Sequence, residues 1–228
     1  MKSELKRILV SIIIMLFSFA AFSGVDEGKK AFSAGNYKKA VDEFRISAEQ
    51  GNSEAQLMLG LMYGHFWQKD EKESAKWIKK AAEQGQPDAQ NALAMLYGTG
   101  TGVHQDSEEA AKWYRKAAEQ GHIHAQRMLG LWLTSVITPH DYTESFFWLK
   151  KAAEQGDAEA QYNLGQMYIN GQGVTQNYIQ AHMWLNIVGA TGHSDAIKLR
   201  ELVAKDMTSS QLQEAQKLAS EWMVNHKQ

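Results

Sequence analysis

The sequence predicts an all-α fold, a right-handed superhelix (α-solenoid) of antiparallel helix pairs closed by a C-terminal capping helix. Three observations predict it. Only 2 prolines stand in 228 residues, which suits long helices better than a sandwich of short strands. A tail reading Ala-Glu-Gln-Gly, or a near relative, ends at Gly51, Gly85, Gly121, Gly156 and Gly192, at spacings of 34, 36, 35 and 36 residues. Other positions keep the same phase, and self-similarity of this length marks stacked supersecondary units.

The first element is an expected leader over residues 1–23. Lys2, Lys6 and Arg7 precede an apolar run at residues 8–22, and the small residues Ala21 and Ser23 suit cleavage before Gly24. That is the layout of a secretory signal peptide. The run falls short of the roughly 20 residues that cross a bilayer, which favours cleavage over retention as an anchor. The expected mature chain is exported, periplasmic in a Gram-negative host or, as the runner-up, secreted, with no stable membrane insertion.

Residues 24–51 follow as a first helix pair, then four repeats at 52–85, 86–121, 122–156 and 157–192, then a half-repeat and capping helix over 193–228. Helix A of each repeat starts just past the Gly, with apolar residues at helical intervals such as Ala89, Leu93, Leu96 and Tyr97. Asn36, Asp70, Asp106, Asp141 and Asn177, each fifteen residues before a Gly, stand where the N-cap of helix B belongs. The closing Gly can take the left-handed conformation that ends helices. Eight residues before each Gly stand Trp77, Trp113, Trp148 and Trp184; the first pair has Glu43 there and Phe44 beside it. Such a side chain fills the gap between consecutive units. Near the end, Thr208 with Gln211 reads as a capping box, and Leu212, Ala215, Leu218 and Trp222 form the stripe of a helix that covers the exposed end of the stack.

With these residues in view, the chain resembles the Sel-1-like repeat (SLR) proteins, cousins of the tetratricopeptide class. The third unit carries Ala89, Leu93-Ala94, Tyr97, Gly100-Thr-Gly102-Val103, Asp106, Ala110, Trp113-Tyr114 and Lys116-Ala117-Ala118. The fifth carries Ala160, Leu164-Gly165, Tyr168, Gly171-Gln-Gly173-Val174, Asn177, Ala181 and Trp184. Units two and four keep the helices but replace the glycine loop with residues 64–69 and 134–140. The first pair, with Phe32, Gly35, Tyr37, Ala40 and Phe44, is closer to a tetratricopeptide pair.

Composition removes several kinds of chemistry. With no Cys there is no disulfide framework, thiol nucleophile or cysteine-ligated metal. A net charge of −2 argues against nucleic acid as a partner. Gly98, Gly100 and Gly102 follow no strand and lack the spacing of a phosphate loop, so they read as a turn. His122 and His124, two apart on a helix, point to different faces. Asp70, Glu71 and Glu73 open a helix, where negative charge complements its dipole. The expectation is a protein that is not an enzyme, with no cofactor and no metal site. Some family members are described as β-lactamase-like, but past the expected leader the chain has no Ser-x-x-Lys and no Lys-Thr-Gly motif.

Function is expected on the concave side of the stack. Positions three, six and ten after each Gly fall opposite the buried face of helix A. They are Glu54, Leu57 and Leu61; Asp88, Asn91 and Met95; His124, Arg127 and Leu131; Glu159, Tyr162 and Gln166. They vary between units while the core positions hold, which fits a groove tuned to a ligand, and Leu57, Leu61, Met95 and Leu131 would make an apolar track along it. Phe66 and Trp67 form a second candidate contact. The family resemblance implies a non-enzymatic scaffold or adaptor that binds a protein or peptide. The alternatives are a cell-envelope hydrolase, acting on peptidoglycan or β-lactamase-like, and a secreted host-interaction factor.

Overall fold

A computed structural model describes residues 24–137 and 139–226. The expected leader lies outside the described residues. Every regular element among them is helical. The chain forms two compact units, divided between Ala117 and Ala118.

The first unit holds α1 (residues 24–33), α2 (Tyr37–Glu49), α3 (Ser53–Leu61) with a π-helical turn at Met62–Phe66, α4 (Glu71–Glu83), α5 (Pro87–Thr99) and most of α6 (Ser107–Glu119). Helices adjacent in sequence pack together: α2 on α3, α3 on α4, α4 on α5. Its core gathers Val41, Phe44 and Ala48 of α2, Ala55 and Leu59 of α3, and Trp77 of α4. Phe44, 2% exposed, packs against Gly28 as Ile78 packs against Gly60 in the next repeat.

The second unit holds α7 (Ile123–Ser135), α8 (Tyr142–Glu154), α9 (Ala158–Asn170), α10 (Tyr178–Gly189), α11 (Ser194–Ala204) and α12 (Ser209–Asn225). Here α7 packs on α8, α8 on α9, α9 on α10, and α10 on both α11 and α12. Trp184 of α10 lies with Leu149 and Ala152 of α8 and with Ala160 and Leu164 of α9, joining one repeat to the next. The final helix is the cap. Its Ala215 and Ala219 are buried, and Trp222 meets Trp184 edge-on at 5.7 Å.

Local chemistry explains where these helices begin and how closely they pack. Asn36, Asp70, Asp106, Asp141 and Asn177 each accept the N–H three residues on, at 2.8–3.1 Å. Thr208 and Gln211 complete the capping box. Gly60, Gly130 and Gly165 stand where α3, α7 and α9 cross their partner helices; a Cβ there would come within 2.6–2.9 Å of Ile78, Leu149 or Leu185. Among the described residues, no helix is long and apolar enough to cross a membrane.

Candidate functional site

All of the expected groove positions except Leu57 keep some exposed surface. Leu57 is 5% exposed, so it belongs to the packing of the first unit rather than to an open face. The physical reason is its side chain: Asn91, Arg127 and Tyr162, at the same phase, carry polar ends that keep to water, whereas a leucine gains by complete burial.

In the first unit, α5 is two-sided. Ala89, Gln90, Leu93 and Ala94 are buried, while Asp88 is exposed and Met95 is 47% exposed. On α3, Glu54 forms an ion pair with Lys29 of α1, and Leu61 lines a cavity described below. In the second unit, Arg127 of α7 donates through Nε to Asp157, the N-cap of α9, at 3.1 Å. One repeat later, Tyr162 of α9 stacks on His193, the N-cap of α11, with centroids 4.9 Å apart. Position six after the Gly thus reaches the cap of the next helix A in both places. Gln166 donates to the Tyr162 hydroxyl at 3.1 Å, and Glu159 is exposed. Leu131 is half-buried beside the core of this unit. Burial first, then the Arg127 guanidinium and the His122 imidazole, holds His124 below the ordinary imidazole value, with Asp157 opposing.

Two recurring features escape sequence reasoning. The residue just after each Gly caps helix A: Asn52, Gln86, His122, Asp157 and His193 each accept the N–H of the Ala three residues on. His122 and His193 therefore share one phase and one structural task. Four residues further on, a buried glutamine repeats. Gln56, Gln90, Gln126 and Gln161 each donate Nε2 to a carbonyl at the end of the preceding helix B, those of Ala48, Ala82, Ala118 and Ala153, at 3.0–3.3 Å. Gln84 and Gln155 donate in turn to the side-chain oxygens of Gln56 and Gln126. The signal was present as a recurring Ala-Gln pair, Ala55-Gln56 through Ala160-Gln161.

The remaining sequence candidates take structural roles. Gly100 ends α5 in the left-handed conformation, its N–H donating to the Leu96 carbonyl. Gly102 lies so close to the Glu71 carbonyl of the preceding repeat that a Cβ would be 2.0 Å from that oxygen; Gly173 stands in the same way on Tyr142, at 1.9 Å. The glycine loop is thus a clasp onto the helix B before it. Asp70 is an N-cap, and Glu73 accepts from the Trp77 indole at 2.8 Å. No group of three or more metal-ligating side chains is assembled among the described residues.

Two concave places stand out, one in each unit. In the first, a cavity of about 440 Å³ is lined by Phe32, Phe44, Met58, Leu61, Met62 and Phe66, with Lys29 and Ser33. Phe66 is 47% exposed and lies edge-on against Phe32 at 5.1 Å, while Trp67 packs on the core. In the second, about 550 Å³ lies against the cap, between Tyr168, Met183, Trp184, Trp222 and His226. Burial raises the Tyr168 hydroxyl above the usual phenol value. The first recess is largely apolar, whereas the second is also lined by Lys150, Glu154 and Gln180; recesses of this size are suited to binding.

The family model described as Sel1 repeat matches residues 53–86, 87–122, 123–157 and 158–187. A comparison with curated proteins finds no match. Among solved structures, the chain is similar to a Sel1 repeat protein from Oxalobacter formigenes, with 34% identity and a TM-score of 0.70 over 74% of this chain and 71% of that one. It is also similar to a protective antigen of uropathogenic Escherichia coli strains displaying an SLR fold, with 29% identity and a TM-score of 0.54 over 89% of this chain. The chain spans about half, 53%, of that antigen.

Proposed function

Because the chain belongs to the Sel1 repeat family, whose fold is typical of protein–protein interaction, we propose that it is a non-enzymatic scaffold that holds a protein or peptide partner against the variable face of its A helices. One observation carries this reading. On α5 the repeated positions are buried, while the positions that change from unit to unit, Asp88, Asn91 and Met95, lie toward solvent. A face that varies on a constant scaffold is where a repeat protein adapts to its partner. Met95 in particular is a large, adaptable apolar side chain left 47% exposed, a kind favoured at binding surfaces. The reading includes export, for which the basic start and apolar run of residues 1–23 are the support.

A photo-crosslinking residue placed at Met95 or Glu159, on A helices, is expected to trap a discrete adduct in living cells. The same residue at Ile46 or Phe147, exposed on B helices at 53% and 49%, is expected to trap none. Equal adducts at all four positions, or none at any, would remove the assignment. Export is checked separately: the mature protein should appear in the osmotic-shock fraction with a mass that begins at Gly24.

A further inference from the structure

The first unit breaks the repeat at one place, and several observations meet there. In the repeats at 86–121 and 157–192 a glycine loop clasps the preceding helix B, through Gly102 on Glu71 and Gly173 on Tyr142. The repeat at 52–85 has no such loop. Its helix A instead widens into the π turn Met62–Phe66, a rare conformation that recurs at functional sites. Gln68 and Lys69 then take left-handed backbone angles, φ 54° and 49°, which non-glycine residues adopt rarely and only when their surroundings hold them. Phe66 is thereby laid over Phe32 and Tyr37 rather than into the core. Beneath it lies the cavity of about 440 Å³. Packed interiors leave few voids larger than a water molecule, so a recess of this size is the scale of a ligand pocket.

Its lining selects the ligand. Phe32, Phe44, Met58, Leu61 and Met62 offer almost no hydrogen-bonding groups. A peptide backbone drawn inside would lose its partners at a cost, whereas a hydrocarbon chain needs none. The one ionisable lining group is Lys29, 47% exposed, whose ammonium is held by Glu54 of α3. Both charges sit in water, where such a pair is worth at most about 1 kcal/mol, so an incoming oxyanion can exchange with Glu54 at little cost. We infer that this cavity binds a free fatty acid, its alkyl chain among the aromatic and methionine side chains and its carboxylate on Lys29. This inference does not depend on the partner reading, whose crosslinking positions do not line the cavity.

Isothermal titration of the full chain with dodecanoate, dodecylammonium and phosphatidylglycerol vesicles tests it. Dodecanoate is expected to saturate one site, roughly tenfold more tightly than dodecylammonium, a gap of about 1.4 kcal/mol. Ser33→Trp, at an exposed position on the rim, should weaken dodecanoate at least tenfold with helicity unchanged. Glu54→Gln should tighten dodecanoate severalfold, and Lys29→Gln should erase the preference between head groups. The proposal is overturned by no saturable dodecanoate binding, by equal affinity for the two head groups, by Ser33→Trp binding like the parent, or by binding to vesicles alone. A dimer that Ser33→Trp breaks and dodecanoate leaves intact would assign the recess to a second copy and would also overturn it.

Discussion

Two glycines two positions apart show how finely single positions set this structure. Gly171 and Gly173 both have left-handed backbone, at φ 66° and 68°. A Cβ on Gly171 meets nothing closer than 3.5 Å, while one on Gly173 lands 1.9 Å from the Tyr142 carbonyl oxygen. Gly171→Ala should therefore cost only the conformational penalty, about 1–2 kcal/mol. Gly173→Ala must also push the loop off α8 and should cost at least twice as much, as urea denaturation would show. The buried glutamines give a second contrast. Gln161→Ala removes one bond to the Ala153 carbonyl, which keeps the Gly156 N–H, so about 0.5–1.5 kcal/mol should be lost in the same assay. The Asp and Asn caps of the B helices were legible because short oxygen-bearing side chains before a helical pattern have few other reasons to recur. Gln56 and its counterparts were not, because a glutamine on a helix reads as solvated until a carbonyl from another helix is placed over it. His122 and His193 escaped for a similar reason, since imidazole is an uncommon cap and its acceptor nitrogen carries no mark in sequence.

Helix pairing was legible from one repeated feature, the indole at a fixed phase. Trp184, 4% exposed, joins α10 to α8 and α9 and receives the edge of Trp222 from the cap. Trp184→Ala should cost roughly 3–5 kcal/mol and release α12 first, seen as faster amide exchange there before the rest of the unit. Beside it on α10, His182 is 4% exposed, and its Nδ1 has no hydrogen-bond partner. Burial first, and then the Arg200 guanidinium, holds this ring below the ordinary imidazole value. The unfolded chain then takes up a proton more readily than the folded one as pH falls below about 6.5. Stability linked to His182 is full above that value and declines below it until the folded ring titrates. Melting temperatures followed from pH 7.5 down to pH 5 should fall less steeply in His182→Leu than in the parent. The π turn after α3 had no comparable signal: residues 64–69 show only that the glycine loop is missing. Which helical bond pattern replaces it depends on where Phe66 finds a surface, and that surface is supplied by Phe32 and Tyr37.

For the molecule as a whole, periodicity specified an all-α stack of helix pairs with a capped end, because each pair must bury its apolar face on a neighbour. The binding face was legible only as the complement of that core, and Leu57 shows the limit of such reasoning, since an apolar side chain at a variable position can still be drawn inside. The partner assignment now rests on exposed, variable side chains of separate A helices. Its most direct test is the affinity of the trapped partner, read by titration, for charge-changing variants on the two kinds of helix. Asp88→Lys and Glu159→Lys should each weaken binding roughly tenfold, about 1.4 kcal/mol, while Ile46→Lys and Phe147→Glu leave it unchanged. Losses confined to the B-helix variants, with Asp88→Lys and Glu159→Lys binding as the parent does, would contradict it.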